Sequence, residues 1–402
     1  MTARKTLLWL ISFTLIMFIM AGCSQQNLPP TMDESQEHSA TTTLAATDTS
    51  SPLPTETQIP VPILPAQTPE PFSLAERGPY WIGRRTYTLI DESRDGREIR
   101  LVVRYPAIKE LDSAGTPISD NALPDLNAAP YPLILTGLNS GSYLFQSHLV
   151  SHGFVMVTIL NLESYLIQGF EVVDHPLDLI FTLDQIGENK LTGLEEIINS
   201  DQVGVAGYSS DGDYSLSVSG ARIDPEYYFS KCGHMNLDEI QRSEFMVQYM
   251  CELALEWEQF ADHAGEEITL SADGLWQPIT DERIRAVMPM AAGIAWLFGD
   301  QGLASVDRPV MIIAGTEDTL TPYRDNTVFI FENLMLDDKY LVSFIDKGHM
   351  MVTEQETINR IRHFATAFFG YYLQGRQDYA YYFSEEFVSQ YSDLAWGVYP
   401  GD

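Results

Sequence analysis

Six short stretches of this chain are apolar at almost every position: YPLILTG (131–137), FVMVTIL (154–160), QVGVAG (202–207), AVMPMA (286–291), PVMIIAG (309–315) and YLVSFID (340–346). A strand with one wet face alternates polar and apolar residues, whereas an unalternating run suits a strand covered on both faces. Stretches with helical patterning lie between them, near 141–151, 171–187, 210–221, 324–335 and 354–374. Strand and helix in alternation predict an α/β fold, a mostly parallel central sheet with helices on both faces. Upstream, RTYTLID (85–91) and EIRLVVRYPA (98–107) flank Ser-Arg-Asp-Gly, which predicts an N-terminal antiparallel hairpin with a glycine turn. Residues 222–284 form a long insertion, expected to be a helical cap.

The chain ahead of Phe72 is of another kind. Arg4 and Lys5 precede the apolar run LLWLISFTLIMFI (7–19), followed by Met20-Ala21-Gly22-Cys23. A basic start, a short apolar run and small residues before a cut describe a secretory signal over residues 1–22. Cysteine directly after Ala-Gly resembles a bacterial lipoprotein lipobox, although Met20 stands where leucine is commoner. That resemblance implies a lipid on Cys23; the alternative is an uncleaved membrane anchor. Residues 23–71 hold the tract TTTLAATDTSS and then repeated prolines from Pro52 to Pro71. Such a segment cannot bury apolar surface and serves as an extended linker. The expectation is a domain over 72–402, extracytoplasmic, tethered to a bacterial membrane through Cys23. Export makes a disulfide between Cys232 and Cys251 the expected pairing, with two buried free thiols as the alternative.

A net charge of −33, from 23 basic and 56 acidic residues, repels polyanions and argues against nucleic acid as a partner. A monomer taking a neutral small-molecule or lipid substrate is the expectation, and the surface charge serves solubility.

In parallel sheets ligands gather beyond the carboxyl ends of the strands. VGVAG ends at Tyr208-Ser209-Ser210, PVMIIAG at Thr316-Glu317-Asp318 and YLVSFID at Lys347-Gly348-His349. A nucleophile, an acid and a base thus fall at strand ends in the order Ser, Asp, His, the chain order of α/β-hydrolases.

Longer segments carry the same likeness. GRRTYTLIDESRDGREIRLVVRYPA, DHPLDLIFTLDQI (174–186), VGVAGYSSDGDYSL (203–216), SGARIDPEYYFSKC (219–232), DERIRAVMPMAAG (281–293), AGTEDTLTP (314–322) and KGHM (347–350) follow one another in order. In that series residues 78–375 resemble the platelet-activating-factor acetylhydrolase and predicted dienelactone hydrolase group of α/β-hydrolases. The resemblance implies a serine esterase or lipase with Ser209, Asp318 and His349 as its triad and no cofactor. It implies an oxyanion hole from the N–H of Ser210 and one in the loop TGLNSG (136–141), with Leu138 as the expected donor. Members often have His-Gly where this chain has Thr136-Gly137.

Alternatives stay open at this level. Ser209 could be a helix N-cap without chemistry. Glu317 competes with Asp318 as the acid. Ser210 with Gly212 is a second alignment of the nucleophile. A hydrolase-like lipoprotein that binds an ester or lipid without cleaving it is the alternative function, and a two-lobed solute-binding lipoprotein is a third. His148 and His152 are spaced to share a helix face, but no acidic partner completes a metal pattern, so no metal is expected. Asp211-x-Asp213-x-Ser215 lacks the glycine and glutamate of a calcium loop.

The departure from Gly-x-Ser-x-Gly is Asp211, where the second glycine belongs. A carboxylate about 7 Å from a developing oxyanion repels it by roughly 2.4 kcal/mol at an effective dielectric of about 20. Asp211 is therefore expected to modulate the rate. The aromatic tail YAYYFSEEFVSQYSDLAWGVY (379–399) is expected to pack on its own domain, with a substrate-facing lid as the alternative.

Overall fold

A computed structural model describes residues 71–109, 118–137, 146–160, 170–234, 236 and 245–401. The expected signal segment, Cys23 with its expected lipid, almost all of the expected linker and Leu138 lie outside the described residues.

The ten strands, β1 (Trp81–Asp91), β2 (Arg97–Ala107), β3 (Ile118–Asp120), β4 (Tyr131–Thr136), β5 (Val155–Ile159), β6 (Ile198–Tyr208), β7 (Ile284–Met290), β8 (Val310–Gly315), β9 (Lys339–Phe344) and β10 (Leu394–Trp396), form one sheet. Their order is β10-β9-β8-β7-β6-β4-β5-β2-β1-β3. Strands β4 to β9 are mutually parallel, while β2 meets β5, and β10 meets β9, antiparallel. Each of the six apolar runs from 131 onward overlaps one of the parallel strands, and β8 is buried at all its positions.

Alternate residues of these strands feed two cores, as a period of two requires. Leu133, Leu135, Val203, Val205 and Ile312 face one layer; Ile134, Met156, Ala206, Met288 and Ile313 face the other. The first layer includes α2 (Glu171–Gly187) and α3 (Ser210–Val218). The second includes α1 (Gln146–Ser151) and α8 (Gln355–Gln374). The stretch expected as a helix over 324–335 is a wide turn at Arg324–Val328 continuing into a helix at Phe329–Asn333.

The hairpin is longer than its apolar pattern indicates, because Gly83 breaks the pattern yet belongs to β1. A Cβ there would lie 2.3 Å from the Tyr105 ring, so the glycine makes room for a buried tyrosine. The far end of the hairpin is pinned to α2 by Asp178, fully buried, which accepts bonds from Arg94 and Arg97 at 2.7–2.9 Å.

The insertion folds as short helices: α4 (Pro225–Cys232), α5 (Phe245–Cys251), α6 (Trp257–Ala264) and a single turn at Glu266–Thr269. Helix α7 (Ala295–Leu303) follows β7 and is broken at Gly299. Tyr228, Phe229, Trp257, Phe260 and Trp276 stack into one aromatic cluster that ties α4 to α6. The cysteine pair is disulfide-capable, with sulfurs 1.98 Å apart at the ends of α4 and α5.

The aromatic tail packs on its own domain. Tyr379, Phe383, Phe387 and Val388 are buried, and Leu394–Trp396 adds the edge strand β10. Phe72 packs edge-on against Phe364 and Phe387 and lies tilted over Tyr391. Among the described residues no helix is long and apolar enough to cross a membrane.

Candidate active site

Chain order reverses between β4 and β6: β5 lies on one side of β4, and the chain then crosses to β6 on the other. Such a reversal opens a crevice at the carboxyl ends of the strands. Ser209 stands there, directly after β6.

Ser209 occupies the sharp turn from β6 into α3, with φ 59° and ψ −126°. A non-glycine residue at positive φ is strained and must be held by its surroundings. Its N–H donates to the Met290 carbonyl at 2.9 Å, and its own carbonyl accepts from Gly212 N–H at 2.8 Å. The side chain makes no capping bond although it stands in the N-cap place. Instead its Oγ lies 3.2 Å from His349 Nε2.

His349 begins the turn after β9. Its Nδ1 lies 2.7 Å from Asp318 Oδ2, and both side chains are close to fully buried. Asp318 is fixed on three sides: Oδ1 accepts the N–H groups of Leu320 and Thr321 at 2.9 Å, and Oδ2 accepts the Thr321 hydroxyl at 2.9 Å. Glu317, the competing acid, is exposed. The loops after β8 and β9 are stitched together, Thr316 N–H to the Phe344 carbonyl and Glu317 N–H to the Lys347 carbonyl, each at 2.9 Å. A Cβ at Gly315 would lie 2.1 Å from the Lys347 carbonyl oxygen, so the close approach needs that glycine. Ser209, His349 and Asp318 are thus brought together from β6, β9 and β8. Ser210 opens α3, where a helix has no internal acceptor for its leading N–H groups.

The sequence does not single out Thr321 or Tyr208. The Thr321 hydroxyl reaches both Asp318 and His349 Nδ1, the latter at 3.3 Å. The Tyr208 hydroxyl donates to the His349 carbonyl, fixing the turn that carries the imidazole. An Asp-x-x-Thr spacing, familiar from side chains that bond the nearby backbone, is the only trace of Thr321 in the sequence. His148 and His152 lie remote from this site and bond the carbonyls of Leu74 and Glu76 instead.

The glycine pattern resolves at atomic level. A Cβ on Gly207 would sit 2.0 Å from the Asp211 carbonyl oxygen and 2.6 Å from Asp211 Cβ. A Cβ on Gly212 would sit 2.8 Å from the Met290 carbonyl oxygen. The turn therefore needs glycine at 207 and 212, and Asp211 is accommodated, buried, between them.

Asp213 lies one helical turn along, buried. Its Oδ1 accepts the N–H groups of Gly293 at 2.8 Å and Ile294 at 3.0 Å, holding the loop after β7 against α3. Burial, with a smaller push from Asp211, raises its carboxyl to about 7. A carboxyl raised on folding favours the folded state at low pH, and that contribution is lost as pH rises from its ordinary value towards 7. Asn cannot ionise and can keep the two accepted bonds. Between pH 5 and 8 the wild type should thus lose roughly 2–3 kcal/mol more stability than D213N. Denaturant melts of both proteins across that range check this; parallel profiles would place the titration elsewhere.

No protein-family model matches the chain, and no curated protein matches it.

Proposed function

We propose that this chain is a serine carboxylic-ester hydrolase of the α/β-hydrolase type, lipid-anchored outside the cytoplasm and acting on neutral or lipid-like esters. The observation that carries the reading is the unbroken hydrogen-bond series from Asp318 through His349 to an uncapped Ser209 held at positive φ. A serine there as a mere helix cap would direct its oxygen to the helix, not to an imidazole.

The chemistry follows from the positions. Ser209 Oγ attacks the ester carbonyl while His349 Nε2 takes its proton. The tetrahedral oxyanion is met by the Ser210 N–H and by a second donor, expected at Leu138. The C–O bond to the alcohol breaks as His349 returns the proton to the leaving oxygen. Water then attacks the acyl-Ser209 carbonyl, His349 acting again as base, and releases the carboxylic acid. Asp318 holds Nδ1 protonated and stabilises the imidazolium. No cofactor enters these steps, and the charge of −33 disfavours an anionic substrate.

Labelling of the full chain by a fluorophosphonate probe tests the reading. Stoichiometric label on Ser209 is the expected result. A chain that takes no label and cleaves no member of an ester panel would be a binder rather than an enzyme. D211G addresses the modulation: removing the charge should raise turnover of a soluble ester on the order of tenfold. Unchanged kinetics would leave Asp211 without that role.

A further inference from the structure

Thr321 stands three residues beyond Asp318, buried, and the two branches of its side chain face different partners. Its hydroxyl donates to Asp318 Oδ2 at 2.9 Å and lies 3.3 Å from His349 Nδ1. Its methyl faces the loop after β7, for a Cβ at Gly293 would be 2.7 Å from Thr321 Cγ2. A β-branched side chain has few χ1 wells, and a methyl seated against that loop leaves the hydroxyl turned to the acid and the base.

We propose that Thr321 is a positioning residue for the Asp318–His349 pair, its hydroxyl aligning the carboxylate with the imidazole and favouring the ring protonated on Nδ1. Its effect on rate rests on the ester-hydrolase reading; its effect on the pair does not.

The hydroxyl carries one proton, and Asp318 Oδ2 takes it. Only its lone pairs are then left to face Nδ1. A ring with its proton on Nδ1 directs that N–H to Oδ2 at 2.7 Å, with Thr321 Oγ beside it as a second, longer acceptor. A ring with its proton on Nε2 would set the bare Nδ1 against two acceptors, and Thr321 could answer it only by giving up Asp318. The carboxylate needs the hydroxyl as well. Its Oδ1 is fixed by the amides of Leu320 and Thr321, both at 2.9 Å, which leaves the group able to pivot about that atom. The bond from Thr321 Oγ holds Oδ2 and stops the pivot. The His349 backbone is held separately, by the Tyr208 hydroxyl on its carbonyl, so Thr321 acts on the ring and not on the turn that carries it.

The experiment uses the full chain as wild type, T321V, T321S and H349Q. Valine keeps the shape and removes the hydroxyl; serine keeps the hydroxyl and removes the methyl. kcat and KM for a soluble p-nitrophenyl ester are read alongside the far-downfield proton resonance of His349 Nδ1–H, assigned by its loss in H349Q. T321V should lower kcat about ten- to a hundredfold, the rate equivalent of one hydrogen bond to a charged group, with KM within about twofold. Its Nδ1–H resonance should move upfield as the bond to Oδ2 loses its alignment. T321S should regain most of the lost rate and the wild-type resonance. The proposal is overturned if the T321V resonance stays in place or moves downfield, or if its kcat stays within twofold of wild type. It is overturned equally if T321S is as slow as T321V, since the methyl would then be the cause, or if KM rises with kcat intact, since Thr321 would then contact substrate. A wild type lacking the resonance overturns it too, for there would be no Nδ1–H bond to align. A wild type without turnover or fluorophosphonate label removes the hydrolase reading alone, and the resonance still decides on Thr321.

Discussion

Replacing Ser209 with alanine should lower ester turnover by at least ~10⁴-fold and abolish fluorophosphonate labelling, with the fold intact. Alanine keeps the Cβ that strains the turn at φ 59°, so the backbone is asked for nothing new. The Ser209 N–H still donates to Met290, and its carbonyl still receives the Gly212 amide. Only the hydroxyl 3.2 Å from His349 is lost, so the change reports the nucleophile and little else. Circular dichroism and a melting curve matching wild type separate this result from unfolding. A variant retaining a tenth of the activity would move the chemistry to another group, with Ser210 next in line.

Asp318→Asn should cost on the order of 10³–10⁴-fold in kcat, through the tautomer of His349. The carboxylate accepts from the amides of Leu320 and Thr321 through Oδ1 and from Thr321 Oγ and His349 Nδ1 through Oδ2. An asparagine that keeps the two backbone bonds with its oxygen must turn its NH₂ towards Nδ1. The imidazole then carries its proton on Nε2, facing Ser209, and cannot act as base. A kcat within tenfold of wild type would mean that Thr321, 3.3 Å from Nδ1, fixes the ring by itself.

Much of this was legible because the parallel strands are covered on both faces and so carry unbroken apolar runs. The site was legible because each of its groups directly follows such a run. What escaped has physical causes. Strands β3 and β10 are three residues long, too short for any period, and β10 sits in a tail whose aromatic content reads equally as helix. Thr321 and Tyr208 act through a hydroxyl placed by tertiary folding, which no local spacing encodes. Asp211 reads as a departure because the motif weights positions 207 and 211 alike.

They are not equal, and this bears on how the chain tolerates change. At 207 the obstacle is a backbone carbonyl, which no exchange of side chains can remove. At 212 it is the backbone of a neighbouring strand. Both positions are closed to every residue with a Cβ, whatever else in the sequence drifts. Position 211 already carries a side chain, the buried carboxylate of Asp211. Positions 207 and 212 are thus fixed by backbone, while the buried residue at 211 is constrained only through its side chain, which single substitutions can alter.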